Sequence, residues 1–406
     1  MIRHIQQVFH ARSPWEKAYL VLLLLTVVSL VSSRAGLSIA TGLFFIAAFV
    51  GSGRHTNYYL ILFLLPLWWL STGVGLLQSP DLIRGLDMWL LGVPFLSFTL
   101  AIVRMKPLDQ AGARLIFDVF LWALIAAWCL AMGIGGYRWI LGELSWDRAF
   151  TYANFTENIL QHPTYLAFML NVGIIWLIQQ YDLKGHHLYA FGFLLLFLLM
   201  TAARLQIFIG LAILVGVLFF KYPTWRKWLL SGLIMMLVLA SLAVSFLPQE
   251  TQRMQDLWTY QEIENIRHNG VAVRLALWEI TWGEIMAHPV TGVGVGNVQP
   301  TLEAAFIREG LPLQGLGPHN QYLHTALAVG IPSMCVLIFV LGLPLIVALR
   351  QKRYTAACIL LIFILGCLTE DILSRQIGIC TLAFFLPLTW TMKYSNQVEE
   401  KESRPS

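Results

Sequence analysis

The chain has 406 residues, 58% of them hydrophobic and only 12% charged, with a net charge of +5 and a mean hydropathy of +0.69. This composition excludes a soluble globular domain and a disordered chain, and points to a polytopic membrane protein. Five cysteines, Cys129, Cys335, Cys358, Cys367 and Cys380, all fall in apolar stretches, so neither a disulfide framework nor a thiolate metal site is implied.

Residues 1–17 form a basic, amphipathic lead-in suited to anionic lipid headgroups. No small-residue cleavage site follows the first apolar run, so it reads as a retained helix and not a removed signal. Apolar runs long enough to cross ~30 Å of hydrocarbon then recur along the chain. They are expected at 18–33, 36–51, 57–77, 84–103, 114–135, 163–181, 187–203, 205–220, 228–247, 322–349, 354–370 and 376–392. The fold class is therefore all-α polytopic, with about twelve transmembrane helices and a large external loop between the ninth and tenth. The pairs 18–33/36–51 and 187–203/205–220 have such tight turns that tilted or broken helices fit equally well. Three regions follow: 1–247 with nine spans, 248–321 as the loop, and 322–406 with three spans and a cytoplasmic tail.

Short positive connectors, RMKPLDQAGA (104–113), KYPTWRK (221–227) and RQKR (350–353), place both termini in the cytoplasm by the positive-inside rule. In that orientation every lysine is cytoplasmic and every external cation is an arginine. Arginine's planar fork grips phosphate in a bidentate way, so such an outer face suits a phosphorylated ligand.

Residues 136–162 mix Tyr137, Trp139, Trp146, Phe150, Tyr152 and Phe155 with charges, as an aromatic belt at the membrane interface does. Stacking on sugar rings is the rarer reading. His162, ahead of Pro163, sits at a loop-to-helix junction and is a candidate site residue. Arg204 interrupts a long apolar run. Snorkelling to the interface and anion binding are both open for it.

Within the long loop, Asn269 to His288 reads as an amphipathic helix. Val271, Leu275, Trp278, Trp282 and Ile285 recur at spacings that form one apolar stripe against bilayer or bundle. Arg274 flanks that stripe, and helical spacing puts Trp278 beside it. GVGVGN (292–297) lacks the Lys and Ser/Thr of a phosphate loop, so it is expected to be a flexible turn. His319 and His324 are five apart, off the spacing of a helical metal pair, and no metal site is expected. His319 and Asn320 stand where a helix begins after Pro318. Two readings are open there: a simple cap, or a site using the helix dipole and an imidazole base.

Taken together, RLALW-EI (274–280), HPVTGVGVGN (288–297) and GPHNQYLHTALAVG (317–330) resemble the C-terminal signature of the O-antigen ligase and polymerase superfamily. His319-Asn320, nine residues, then Gly330 resembles the ligase branch; Ser333 and Ala203 depart from its usual pattern. The resemblance implies that Arg204 and Arg274 are the essential arginines and His319 the essential histidine, with Asn320, His162 and Trp278 as candidate substrate contacts. It also implies a periplasmic loop and active site on a Gram-negative inner membrane. The implied reaction is metal-independent inverting glycosyl transfer of a polysaccharide from undecaprenyl pyrophosphate to a sugar hydroxyl of the lipid A core. No cofactor and no nucleic acid enter it. An O-antigen polymerase and a protein O-oligosaccharyltransferase share this donor chemistry. A secondary transporter fits the span count, but there is no internal repeat to support it. Glu370 and Asp371, at the outer end of the eleventh span, are left without a role.

Overall fold

The computed structural model describes residues 8–10, 12–50, 60–105, 108–227, 231, 270–311 and 315–392, and among these residues all regular structure is helical. Nearly all of the expected ninth span (228–247), residues 248–269 of the loop and the tail after 392 lie outside the described residues. In chain order the helices are α1 (Pro14–Ser32), α2 (Arg34–Val50), α3 (Leu64–Thr72), α4 (Leu82–Leu90), α5 (Val93–Arg104), α6 (Gln110–Ile140), α7 (Trp146–Phe150), α8 (Tyr152–Glu157) and α9 (Pro163–Gln180). They continue with α10 (His186–Met200), α11 (Arg204–Lys221), α12 (Gly270–Ala287), α13 (Val298–Arg308), α14 (Gln321–Val329), α15 (Ile331–Arg350), α16 (Tyr354–Gly366) and α17 (Gln376–Thr391). Among the described residues six helical segments are long and apolar enough to cross a membrane, and four shorter apolar helices accompany them.

Local chemistry sets the boundaries. At α1, Ser13 and Glu16 form a reciprocal capping box, with Pro14 in the first turn where its missing N–H costs nothing. Ser33 alone separates α1 from α2, and its hydroxyl accepts the Gly36 N–H at 3.0 Å, so the first tight pair is two helices. Residues 201–203 likewise separate α10 from α11.

The centre of the bundle is α9, buried along nearly its whole length and packed against α6, α10, α11 and α16. Asn171 in its middle is satisfied by donating to the Gln206 carbonyl at 3.0 Å, as a polar group inside such a bundle requires. Helix α9 packs on both α10 and α11, and Asn171 in the middle of α9 meets Gln206 in the first turn of α11 while Lys221 at the end of α11 meets Tyr181 at the end of α9, so α9 and α11 run the same way. The start of α9 at His162 and the start of α11 at Arg204 therefore share one end. Toward the opposite end, Lys221 donates to the Tyr181 carbonyl at 2.8 Å and Arg353 to that of Trp390, so these basic connectors also tie off helix ends.

The expected span 322–349 is not one helix. It breaks at Gly330, whose φ of 96° lies in the left-handed region and where a Cβ would overlap the Val290 carbonyl. A break exposes carbonyls, and the 289–294 segment satisfies them. Val293 N–H donates to Leu327 O at 2.8 Å and Gly294 N–H to Ala328 O at 3.0 Å, while Ile331 N–H returns to Pro289 O at 2.8 Å. GVGVGN is thus a backbone clip and not the flexible turn expected. Gly292 and Gly294 (φ 66° and 99°) serve close approach to Ala328 and Gln78.

A second, smaller core joins α12, the clip, α13 and α14 through Leu277, Ile285, Val293, Leu302, Phe306 and Leu327. The α12 helix is present, but its buried stripe runs through Leu277, Thr281 and Ile285, whereas Leu275 and Trp282 are exposed. Leu275 and Trp282 of the expected stripe face outward, while the inner face packs on α13 and α14.

Gly330→Ala is expected to destabilise the protein by about 3 kcal/mol, combining left-handed strain with the clash on Val290. Thermal unfolding in detergent checks it; Gly342→Ala, where a Cβ meets open space, is the control expected to change little.

Candidate active site

Residues 317–320 hold His319 by backbone geometry. Its φ is 46°, unusual for a non-glycine residue. Asn320 follows as the N-cap of α14, its side-chain oxygen accepting the N–H groups of Tyr322 and Leu323 at 2.9 and 3.1 Å. Three contacts pin this corner. The Asn320 N–H donates to Asp371 Oδ1 at 2.8 Å, Gln321 N–H to the Cys367 carbonyl at 2.8 Å, and Leu373 N–H to the Gln321 amide oxygen at 2.7 Å. The Trp278 indole donates to the Pro318 carbonyl at 3.0 Å, fixing α12 to the same loop. Gly317 is required where a Cβ would overlap the Asp371 carboxylate.

Glu370 stands at the centre, just beyond the end of α16. Its Oε1 accepts from Arg274 Nη2 at 2.9 Å and its Oε2 meets His319 Nδ1 at 3.1 Å. Only 15% of the Glu370 side chain is exposed, against about a third of each partner. Burial alone pushes the Glu370 carboxyl up, but the His319 hydrogen bond and the charges of His319, Arg274 and His162 outweigh it, so it lies below its ordinary value. His319 is held above its ordinary value, mainly by that same hydrogen bond, against desolvation and the Arg274 charge. Burial raises the neighbouring Asp371, partly offset by His324 and His319. An Nδ1–H donated to Glu370 leaves Nε2 as the free face of the ring. This is the arrangement of an oriented general base.

Of the residues singled out in the sequence, His319, Arg274, Asn320 and Trp278 meet at this corner. Asn320 spends its side-chain oxygen on the cap and Trp278 its N–H on the loop. His162, the N-cap of α9, is lowered by desolvation, with Glu370, Arg375 and His319 close enough to act on it electrostatically. Arg204 begins α11 at the same end but is exposed, and no hydrogen bond or ion pair holds its guanidinium among the described residues. Glu370 is the residue that sequence reasoning left unassigned. Its signal was an acidic pair closing an apolar run, where an unpaired charge is costly.

Compared with known proteins, residues 189–338 match the family model described as O-antigen ligase. The match takes in Arg204, Arg274, His319 and Gly330 and stops short of Glu370. No curated protein matches the chain.

Because folding raises His319 and lowers Glu370, the histidine's contribution is complete below its ordinary value of 6.5 and fades as pH rises through its folded value. The carboxylate's is complete above 4.5 and fades as pH falls through its folded value. The stability gap between wild type and Glu370→Gln is therefore expected to peak between pH 4.5 and 6.5, at about 1–2 kcal/mol. Below that window it should close, and above it a remainder from the Arg274 pair should persist. Thermal melts across pH check this.

Proposed function

Because this chain belongs to the O-antigen ligase/polymerase superfamily, we propose that it is a ligase, moving a polysaccharide from undecaprenyl pyrophosphate to a sugar hydroxyl of the lipid A core at the periplasmic face of the inner membrane. The observation that carries this is the Arg274–Glu370–His319 constellation, which supplies an oriented base beside a cation. His319 Nε2 takes the acceptor hydroxyl proton as that oxygen bonds to the anomeric carbon; the bond to the pyrophosphate oxygen breaks and the electron pair leaves with the pyrophosphate. The anomeric centre inverts. General-base assistance of this kind contributes about 10²–10⁴-fold.

Arg274 uses one nitrogen on Glu370 and keeps the rest of its fork for a phosphate oxygen. Arg204, exposed at the same end and without a partner among the described residues, supplies the second cation. The start of α14 adds the positive end of its dipole. Pyrophosphate is already a good leaving group, so the arginines and the base suffice for the chemistry.

A deletion strain tests the assignment. Lipopolysaccharide gels should show loss of all long chains, with lipid-linked polymer accumulating; a single capped repeat instead would make the protein a polymerase.

Arg204→Lys and Arg274→Lys should each lower transfer about 10²-fold at normal protein levels, since a point charge does not reproduce a bidentate fork. In the same assay with purified protein and lipid-linked donor, excess EDTA should leave activity unchanged and His319→Ala should abolish it. Loss in EDTA, restored by magnesium, would remove the arginines from the role of pyrophosphate clamp.

A further inference from the structure

The chemistry above leaves one large feature of the same end unused. Between the α1–α2 turn and the segment leading into α9 lies a cavity of about 730 Å³, whose lining includes Ser33, Arg34, Ala35, Glu157, Gln161 and His162. That volume is in the range of ligand pockets, roughly 300–1,000 Å³. Its walls offer a guanidinium, a carboxylate, an amide, an imidazole and a hydroxyl. These polar groups stand among apolar walls that include Leu160 and Pro163, a mixture that suits a saccharide, which presents both hydroxyl groups and C–H faces.

Gln161 gives the cavity a built wall. It is only 5% exposed, and its Nε2 donates to the Val31 carbonyl at 2.9 Å, fixing the last turn of α1. Its amide oxygen accepts no hydrogen bond among the described residues, although burial makes a partner for it valuable. The cavity also adjoins the reacting groups. His162 belongs to its lining and feels the charges of Glu370 and His319, while Gln376 donates to Ser38 at 2.8 Å, tying the 370–376 segment to the first turns of α2.

Inversion requires the attacking hydroxyl and the leaving pyrophosphate to lie on opposite faces of the anomeric carbon. Both arginines assigned to the pyrophosphate come from α11 and α12, and neither helix contributes to the cavity lining. We propose that this cavity is the acceptor site, binding the saccharide whose hydroxyl is delivered to His319, with Arg34, Glu157 and Gln161 gripping its hydroxyl groups. The assignment rests on the transfer reading above.

The test uses full-length protein in lipid nanodiscs, with lipid A–core lacking polysaccharide as acceptor and lipid-linked polysaccharide as donor. Ala35→Trp fills the cavity and Arg34→Ala removes its cation, with melting temperatures reporting that both variants fold. The acceptor KM is expected to rise about tenfold or more in each, with the donor KM within twofold of wild type. An unchanged acceptor KM in folded variants overturns the proposal, and so does a rise confined to the donor KM, which would put the donor's own sugars in the cavity. Direct binding of lipid-free core oligosaccharide without donor separates this from the transfer reading. If wild type binds the oligosaccharide and Ala35→Trp does not, the cavity assignment stands even where no transfer is seen; equal binding by both overturns it whatever the transfer assay shows.

Discussion

The carboxylate of Glu370 ties together parts of the chain that lie far apart in sequence, reaching Arg274 on α12 through one oxygen and His319 ahead of α14 through the other. A largely buried charge is tolerable only when it is paired and hydrogen-bonded, so the carboxylate obliges both partners to stay. Each partner in turn gains direction. His319 gives its Nδ1 to the carboxylate and keeps Nε2, and Arg274, on the flank of its helix, is drawn inward. Asp371 repeats the device one residue on, accepting the Asn320 backbone N–H that fixes where α14 begins.

A second constraint holds that corner in place. The helix leading away from His319 stops after Val329, and the carbonyls freed by the break are taken up by the backbone of the glycine-rich clip. This lets α14 belong to the small core of α12 and α13 while α15 continues as a long apolar helix. The strain at Gly330 and the close approach at Gly292 and Gly294 are thus connected: glycine is needed wherever two backbones must touch without side chains between them. Without the clip, orphan carbonyls would sit in a buried setting at a cost of roughly 1–3 kcal/mol each.

The two ends of the bundle differ in kind. At one, basic side chains tie off helix ends, with Lys221 on Tyr181, Arg353 on Trp390 and Arg12 on Asp109. At the other, histidines, carboxylates and arginines gather around a loop corner and a large cavity. Cations spent on backbone carbonyls are anchors. Arg274 is instead held through one largely buried carboxylate, and Arg204 has no partner among the described residues.

Much of the fold could be read directly from residue order, because hydrophobic run length and capping are local properties. Among the described residues the apolar runs became helices, and Pro163 and Asn320 marked starts; that Ser33 and residues 201–203 part the tight pairs into separate helices was decided only in the structure. Arg274 and His319-Asn320-Gly330 stood out through their resemblance to a family motif, which is also local in sequence. Other features depend on what lies across the fold. Hydropathy passes over Gly330, since a break in a helix depends on whether another backbone arrives to satisfy the freed carbonyls. Which residues of α12 pack on α13 and α14 was not legible, because periodicity does not reveal the space that those helices leave. Beyond an acidic pair closing an apolar run, Glu370 had no local signature of its role: its partners are 51 and 96 residues away, and only tertiary packing brings them within reach. By itself the sequence determined an all-helical membrane protein with an arginine- and histidine-bearing corner; the tertiary structure decided which carboxylate organises that corner, because a buried charge acquires its meaning from the groups folded against it.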